Sequence, residues 1–493
     1  MSKLKFGWSE VSLIPEGKKI NLAGQFYERI TDLVRDPISV TALAVEGDGE
    51  LAIFCACDLV STSYALLESV RNILKDKADF LCDKLIVSAI HSHTSLSYAR
   101  ADDSYGSTLD VLAKYTPDDI VYEKFAEDTS GDLLDGEEAH IFLAERIAEA
   151  ALSAYNNLKE GKFARGFGRA AVGMCRRVCY DDGSAKMWGD TNHANFTELE
   201  GGNDSGIELL FISDENEKLT GVVANLACPA QVLEHRNIIS ADFWGDVKKT
   251  LRDKFGSDVF LLSLCSPAGD QCPRDMIRWV EPESPINDPN IIRENVPARL
   301  ADPSMFDERG CVRAARRISD EILYAYEDRT PYTDSALFSH KVCKVDIPLR
   351  RVTIEEKDKA LAAIKDFFST HKGSITFKDN AAMHVHAGTV ARYEVQQTVN
   401  TDEIELHFIR LGQIAFATNP YELFLDYGNR IRARSKAEQT FLIQLCCGSK
   451  GYLPTEKAEK GSHYSAYVSS GTAGHEGGDI LVRKTLTEIN KMF

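Results

Sequence analysis

The sequence lacks the features that mark secreted, membrane-spanning and nucleic-acid-binding proteins. Its first eight residues contain no apolar segment of the kind that a signal peptide needs. No apolar run approaches the roughly 18 residues that cross a bilayer. Basic residues number 57 against 75 acidic ones, and the net charge of -18 argues against a non-specific nucleic-acid binder. We therefore expect a cytoplasmic protein with no membrane span and no nucleic-acid partner.

A CxxC pair is also missing, although the chain has 12 cysteines. The closest pairs are Cys55/Cys57, Cys175/Cys179 and Cys446/Cys447. Neither a zinc ribbon nor a thioredoxin motif is therefore indicated, and reduced thiols are expected in the absence of an export signal. What is present is a chain of 493 residues with 44% hydrophobic content, which is ample for a globular core.

Apolar runs and helical periodicity alternate along the chain and predict an α/β protein with mixed sheets and flanking helices. Residues 50–60 and 85–90 have the apolar character of buried strands, and residues 62–79 between them carry apolar side chains at helical spacing. A strand, a crossover helix and a parallel strand form the expected arrangement. Residues 207–212 and 219–226 are predicted to form a hairpin.

The remaining elements suggest one catalytic unit that spans residues 1–493. Residues 100–135 are acidic, with weak periodicity, and are expected to form a long loop over the site. A second HxH pair, His384 and His386, lies in a β-like context. Asn419 and Pro420 are suited to the N-cap and first turn of a helix, which would place Glu422 near its N-terminus.

His91 and His93 stand where the predicted strand 85–90 ends. In an extended chain, residues i and i+2 share a face, so both imidazoles can reach one point. Open α/β sheets hold their ligands at the carboxyl ends of the strands. On spacing alone, a metal or catalytic site and two polar residues at the start of a loop are equally good interpretations.

Five blocks at strand or helix ends, with a weaker sixth, resemble in order the motifs of one family. The blocks are His91-Ser-His93-Thr-Ser (HTHSGP-type), Ala227-Cys228-Pro with Ser240-Ala-Asp242-Phe-Trp-Gly (ACHP and SADxxG), Ala268-Gly-Asp270-Gln-Cys272-Pro (AGDxSP), Asn419-Pro-Tyr-Glu422 (PGEP-type), Tyr452 with Tyr464 (a two-tyrosine block) and, more weakly, Cys175-Arg176-Arg177. The family is the neutral/alkaline non-lysosomal ceramidases, and the chain resembles a divergent bacterial-type member over roughly its whole length. The resemblance implies an α/β catalytic domain, one Zn²⁺ ion per chain and hydrolysis of an amide.

Carried over residue by residue, the resemblance implies a metal shell, proton-transfer chemistry and a substrate pocket. The implied zinc ligands are His91, Cys228, Glu422 and Tyr452. The implied catalytic residues are His93, Tyr464 and Arg176. Cys272 and Asp270 are the implied substrate-binding residues.

Two positions of this implied site differ from the family pattern. Cys228 stands where the family has a histidine, and a thiolate is an ordinary zinc ligand. His235 is a second candidate for this ligand position. A third interpretation is a site that holds a different metal or none. Cys272 stands where the family has a serine. Two changes in one pocket favour a substrate other than ceramide.

The sequence thus predicts a zinc-dependent hydrolase that cleaves an amide (N-acyl) bond of a small soluble substrate. The chain ends soon after Tyr464, so no C-terminal β-sandwich is expected. Two alternatives remain: a non-catalytic relative that uses the pocket for binding, and an enzyme directed at an ester, a lactone or a glycan-linked N-acyl group. Association of the chain with itself is left open.

Overall fold

The computed structural model describes most of the chain and leaves several segments out. The described residues are 2–25, 27–99, 108–118, 120, 131–278 and 307–493. The expected cover of the site by residues 100–135 falls largely outside them. Its described part includes a short helix, Thr108–Ala113.

The largest element is an eight-stranded mixed sheet, called here the large sheet. Its strands, in spatial order, are Phe260–Cys265, Leu219–Leu226, Gly206–Asp214, Lys159–Arg169, Lys5–Ser12, Ser39–Gly47, Glu50–Cys57 and Leu85–Ala89. Glu50–Cys57 and Leu85–Ala89 pair in parallel, and the helix Tyr64–Ala78 joins them. The antiparallel pairing of Gly206–Asp214 with Leu219–Leu226 confirms the predicted hairpin.

Two helices cover one side of this sheet for reasons visible in the sequence. Ser63 caps the helix Tyr64–Ala78 by accepting a hydrogen bond from the backbone of Leu66. The helix Gly136–Asn156 packs beside it and against the sheet. Gly7 permits this approach, because a Cβ atom there would collide with the backbone oxygen of Ala154.

A four-stranded sheet packs on the other side of the large sheet. Its strands, in spatial order, are Phe338–Pro348, Thr401–Leu411, Ile414–Thr418 and Gln439–Ile443. Phe54 of the large sheet meets Phe416, with ring centroids 5.3 Å apart, inside the shared apolar core. The buried Asn225 side chain also joins the sheets: its Nδ2 donates to the oxygen of Leu442 (2.9 Å), and its Oδ1 accepts from the nitrogen of Leu442 (3.2 Å).

The remaining described elements are short strands and further helices. The short strands are Ile20–Asn21 with Ile30–Thr31, Met174–Cys175 with Gln271–Cys272, Glu422–Leu423 with Tyr452–Leu453, and the trio Ala185–Met187, Arg177–Tyr180 and Phe196–Leu199. The other helices are Phe243–Phe255, Glu308–Glu327, Ile354–Thr370, Phe377–Val395, Leu425–Arg432, Glu456–Gly461 and His475–Met492, with 3₁₀ turns at Asp79–Lys84 and Val468–Ser470. This architecture confirms the predicted mixed sheets with flanking helices.

Two local predictions are wrong. His384 and His386 lie in the helix Phe377–Val395, which begins with a capping box formed by Thr376 and Asp379. Asn419 and Pro420 open no helix, since the next helix is Leu425–Arg432. The intervening backbone is held in the short strand Glu422–Leu423, because pairing with Tyr452–Leu453 takes precedence over local helix signals.

Two further expectations concern the membrane and the thiols. Among the described residues, the helices are all too short or too polar to serve as a membrane span. All 12 cysteines fall within the described ranges, and each carries a free thiol.

Candidate active site

His91 lies just beyond the strand Leu85–Ala89, at the edge of a large cavity. Its backbone adopts a left-handed conformation, with φ of 67°, so the extended-chain argument for a shared face does not apply. The conformation brings Nδ1 to 2.7 Å from the backbone oxygen of Val60. Nε2 lies 3.5 Å from Oε2 of Glu422. The ring is thus held on one side by the backbone and meets a carboxylate on the other.

His93 nevertheless stays close to His91, with ring centroids 4.8 Å apart in an edge-to-face arrangement. Its Nδ1 lies 3.4 Å from Oε2 of Glu234. Burial, followed by the charge of His91, holds the pKa of His93 well below its ordinary value. Gly24 makes room for this ring, because a Cβ atom there would collide with Nδ1. His93 is therefore a buried, neutral imidazole beside a carboxylate.

Glu422 and Tyr452 face the site from two paired short strands. They are direct partners in the parallel register of Glu422–Leu423 and Tyr452–Leu453. The strand pairing, rather than a helix N-terminus, therefore sets the position of Glu422. Burial raises the pKa of Tyr452 well above its ordinary value, and the nearby charge of Glu422 adds to the effect. The phenol is accordingly neutral in this environment.

Arg176, Tyr452 and Tyr464 form a polar group on the cavity wall, in which Arg176 and Tyr452 are buried and Tyr464 is exposed. Nη2 of Arg176 donates to the hydroxyl of Tyr452 (3.4 Å) and to the backbone oxygen of Gly269 (3.1 Å). The Tyr452 hydroxyl donates to that of Tyr464 (3.3 Å). Burial opposes the charge of Arg176, but Tyr452 and other neighbouring groups raise its pKa above the ordinary value. A fixed cation and two hydroxyl groups are therefore presented together.

The other residues implied by the sequence lie outside the cavity lining. Cys228 is buried in the apolar core, and its thiol donates to the oxygen of Pro229 (3.6 Å). The thiol of Cys272 donates to the oxygen of Arg274 (3.2 Å), and burial raises its pKa to about 12. Neither cysteine is among the described residues that line the cavity, and the same is true of His235.

Asp270 also lies behind the cavity wall, where it supports neighbouring elements. Its Oδ1 accepts from the backbone nitrogen of Leu425 (2.9 Å), at the start of the helix Leu425–Arg432. Its backbone oxygen accepts from the nitrogen of Arg176 (2.9 Å). Burial raises the pKa of the Asp270 carboxyl to about 6. Asp270 thus helps to fix the backbone from which the Arg176 side chain reaches the cavity.

The cavity itself has a volume of about 490 Å³ and mixed polar and aromatic walls. Its described lining comprises Gly24, Gln25, His91, His93, Arg176, Met187, Trp188, Gln231, Glu234, Ala381, Ala382, His384, Val385, Tyr452, His463, Tyr464, Tyr467, Ser469 and Ser470. Sequence reasoning missed Glu234 and Trp188. Glu234 adjoins His235, but no spacing signal sets it apart. Trp188 packs over the guanidinium of Arg176, which lies 5.7 Å from the ring centroid.

His91 and Glu422 suit a divalent metal ion, and Cys228 does not join them. A carbonyl only accepts hydrogen bonds, so Nδ1 of His91 carries a proton, and Nε2, which faces Glu422, is the nitrogen that could bind a metal. An imidazole anchored through its other nitrogen is typical of metal ligation. Among the described residues, three ligand atoms from His, Cys, Asp or Glu lie within 4.8 Å of one another only in Glu405, His407 and Cys447, away from this pair.

Comparisons with known proteins show which solved structures share this fold. No protein-family model matches the sequence, and no curated protein does. The solved structures that match the chain include neutral ceramidase from Pseudomonas aeruginosa and a ceramidase complexed with C2. Each has 14% identity and a TM-score of 0.68 over 99% of this chain, which corresponds to 74% of the first protein and 75% of the second. The chain therefore has a ceramidase-like fold.

Proposed function

We propose that the protein is a metal-dependent hydrolase that cleaves an amide (N-acyl) bond of a small soluble substrate. One observation carries the proposal: His91, His93, Arg176, Tyr452 and Tyr464 all line one cavity of about 490 Å³. Such a volume is typical of small-molecule sites. The fold shared with two solved ceramidases supports the same reaction class.

His91 and Glu422 would hold a zinc ion through Nε2 and Oε2, with the Tyr452 hydroxyl as the third protein ligand. Zinc with an open position supplies a Lewis acid and lowers the pKa of bound water. Burial and the charge of Glu422 raise the pKa of Tyr452, whereas the charge of Arg176 lowers it. The guanidinium would favour an ionised phenol, which metal ligation requires.

His93 would move the proton of the reaction. It lies beside His91, and the Glu234 carboxylate 3.4 Å from its Nδ1 orients the ring and would stabilise an imidazolium. The neutral ring would accept a proton at Nε2 and return it to the leaving nitrogen. Glu234 therefore takes the part of a positioning residue.

Arg176 and Tyr464 would stabilise the negative charge that develops on the substrate carbonyl oxygen. Their polar atoms are already fixed by Gly269, Gln231 and Tyr452, so little reorganisation is needed when the charge appears. The indole of Trp188 shields the guanidinium from one side. A buried cation stabilises a nearby negative charge more strongly than a cation in water does.

The cavity walls favour a compound with both apolar and polar parts. Met187, Trp188, Val385 and Tyr467 offer apolar surface for an acyl chain or ring. Gln231 and Glu234 offer a hydrogen-bonding amide and a carboxylate for a polar part. A small N-acyl compound has this division of character.

A non-catalytic binding protein is the second candidate, and the place of Cys228 favours it. Within the described ranges, a third His, Cys, Asp or Glu ligand atom does not lie within 4.8 Å of both His91 Nε2 and Glu422 Oε2. A chain that has lost its metal could still use the cavity for binding. Ester or lactone hydrolysis would need the same groups as amide hydrolysis.

The test is to purify the full chain, measure its metal content and assay it on a panel of short N-acyl amines and the matching esters and lactones. We expect metal-dependent amide hydrolysis that His91→Ala abolishes and His384→Ala retains, since both histidines line the cavity but only His91 faces Glu422. Tight binding of the same compounds without turnover, by protein that takes up no metal at His91, would establish the binding protein instead.

A further inference from the structure

A second group of potential metal ligands lies beside the four-stranded sheet, apart from the cavity: two are on its strand Thr401–Leu411 and the third follows its strand Gln439–Ile443. We call Glu405, His407 and Cys447 the buried cluster, since all three are buried. Nε2 of His407 lies 2.9 Å from Oε1 of Glu405 and 3.7 Å from Sγ of Cys447. All three ligand atoms lie within 4.8 Å of one another. None of these residues lines the cavity at His91.

These separations are close to those within a tetrahedral zinc site. Zinc bonds of about 2.3 Å to sulfur and about 2.0–2.1 Å to nitrogen and oxygen place sulfur and nitrogen roughly 3.6 Å apart, and nitrogen and oxygen roughly 3.4 Å apart. The observed 3.7 Å and 2.9 Å differ from these by about half an ångström or less. An ion would require only small movements of the side chains.

The hydrogen bonds around His407 leave a place for a cation. The oxygen of Leu51 only accepts, so Nδ1 of His340 donates to it (2.8 Å). Nε2 of a neutral His340 then accepts from Nδ1 of His407 (2.9 Å). With its proton on Nδ1, a neutral His407 directs the Nε2 lone pair towards a carboxylate and a sulfur atom. Three electron-rich atoms then converge, and a cation or an additional proton could lie between them, although the guanidinium of Arg71 already pairs with Oε1 of Glu405 (2.6 Å).

The surroundings orient these ligands as the outer partners of metal sites do. His340 fixes the ring of His407 through its far nitrogen, and Nη2 of Arg71 holds Oε1 of Glu405 at 2.6 Å. Histidine and carboxylate ligands in proteins are generally held by such second contacts. His407 and Glu405 are therefore each held in position by a contact outside the cluster.

An opening leads to the cluster. Glu405 and Cys447 line a separate cavity of about 140 Å³, together with Tyr64, Lys344, Glu403, Ile404, Pro420 and Lys450. The two lysines there are paired, Lys344 with Glu403 (2.8 Å) and Lys450 with Asp402 (2.9 Å). Their charges are thus largely compensated, and an ion and a water molecule could enter.

We propose that Glu405 Oε1, His407 Nε2 and Cys447 Sγ bind a zinc ion, with the fourth position open to the 140 Å³ cavity. Mixed sulfur, nitrogen and oxygen ligands suit zinc among the common divalent ions. Binding releases to solvent the proton shared by Cys447 and His407 and leaves a thiolate on the metal. The proposal is independent of the reaction at His91.

The ion would tie together segments that lead to the candidate active site. The nitrogen of Cys447 donates to the oxygen of Val87 (2.8 Å), in the strand that precedes His91. Five residues after Cys447 the chain reaches Tyr452. Bound zinc would thus link the four-stranded sheet to the segment that carries the Tyr452 side chain, which is a structural role.

Cobalt(II) substitution tests the proposal, because a thiolate bound to cobalt gives a near-ultraviolet charge-transfer band. The full chain is stripped with a chelator and titrated with cobalt alone. We expect one thiolate band in the native protein, in His91→Ala and in Cys228→Ser, and its loss in Cys447→Ser. Cys446→Ser is the matched control, since its thiol lies 3.8 Å from that of Cys447 but outside the ligand group. A band that survives Cys447→Ser, or its absence from the native protein, overturns the proposal.

A second measurement keeps the test decisive if Cys447→Ser fails to fold. X-ray absorption of zinc-loaded His91→Ala should show one sulfur neighbour at about 2.3 Å and lighter ligands at about 2.0–2.1 Å. Zinc with only nitrogen and oxygen neighbours, or no bound zinc, would mean that the cluster is held by a proton on His407 instead. Because His91→Ala removes the site proposed for hydrolysis, this result does not depend on whether the protein is an amide hydrolase.

Discussion

The cavity at His91 and the buried cluster at His407 each contain an anchored histidine, but they differ in the number of nearby ligand atoms and in the space around them. In each, the outer nitrogen of a histidine is anchored, directly to Val60 at one place and through His340 to Leu51 at the other. The His91 site has room for a substrate but only two conventional ligands in contact. The cluster has three ligand atoms together but little space, about 140 Å³ against about 490 Å³.

This difference separates the features of a reaction site from those of a binding site for an ion. A catalytic metal site places polar groups where charge develops, as we propose for Arg176 and Tyr464. A structural site gathers its ligands and supports them from outside. The completeness of a ligand set is therefore a poor guide to where chemistry occurs.

His91→Ala is expected to have the largest effect and to distinguish the two sites most sharply. We expect amide hydrolysis to fall by about 10³-fold or more, because the change removes a proposed ligand of the metal on which the reaction depends. The cobalt–thiolate band of the buried cluster should be unaffected. His384→Ala is the matched control, and a comparable loss of activity in it would indicate damage to the cavity as a whole.

Arg176→Lys is expected to have the next largest effect, a fall of about 10²–10³-fold carried mainly by kcat. Lysine keeps the charge but loses the fixed fork that contacts both Tyr452 and Gly269. The neighbouring Arg177 is a useful contrast, because its guanidinium binds Glu200 (2.8 Å) and is fully buried. Arg177→Lys should lower the melting temperature, and its effect on kcat should be smaller than that of Arg176→Lys. Equal effects of the two changes on kcat would contradict a role for Arg176 in the reaction.

Zinc should stabilise the protein through the buried cluster even when the cavity site has been removed. At a zinc concentration of about 100 times the dissociation constant, binding to the folded state alone adds about 2.7 kcal/mol to the free energy of unfolding. We expect this gain in His91→Ala and its absence in His91→Ala combined with Cys447→Ser, measured by urea unfolding with and without zinc. The same gain in both variants would show that zinc stabilises the chain elsewhere.

The sequence predicts the regular elements of this fold better than it predicts the sites. The helix expected over residues 62–79 is Tyr64–Ala78, because its apolar positions recur at helical spacing and Ser63 caps it. The strands expected at residues 50–60, 85–90, 207–212 and 219–226 are likewise present. Such elements are encoded by local periodicity, which a single sequence displays.

The two sites depend on contacts that local periodicity cannot encode. Glu422 is positioned by pairing with Tyr452, and the strands involved have two residues each, too few for a pattern. His91 owes its orientation to a left-handed backbone. In the cluster, Glu405 and His407 alternate on one face of a predictable strand, which is a signal that could have been found. Cys447 comes from a distant part of the chain, and only the assembled sheets bring its thiol to that face.

Asp270 offers the smallest and most specific test of the cavity region. Because burial raises the pKa of its carboxyl to about 6, above the ordinary value of about 3.9, the folded protein binds more protons than the unfolded chain between those pH values. Stability therefore falls as the pH rises through this range, by about 1 kcal/mol per pH unit from this group.

Asp270→Asn removes this contribution while retaining an oxygen that can accept from Leu425. We expect the variant to gain stability relative to the native chain as the pH rises from about 4 to 6, and the difference to level off above that. Asp58 and Asp242, whose pKa values burial also raises to about 6, remain in both proteins and cancel in the comparison. Urea unfolding at several pH values measures the difference. A difference in the free energy of unfolding that does not change with pH would mean that the Asp270 carboxylate is not desolvated. The contact of Asp270 with Leu425, rather than its charge, would then determine its effect on the wall behind Arg176.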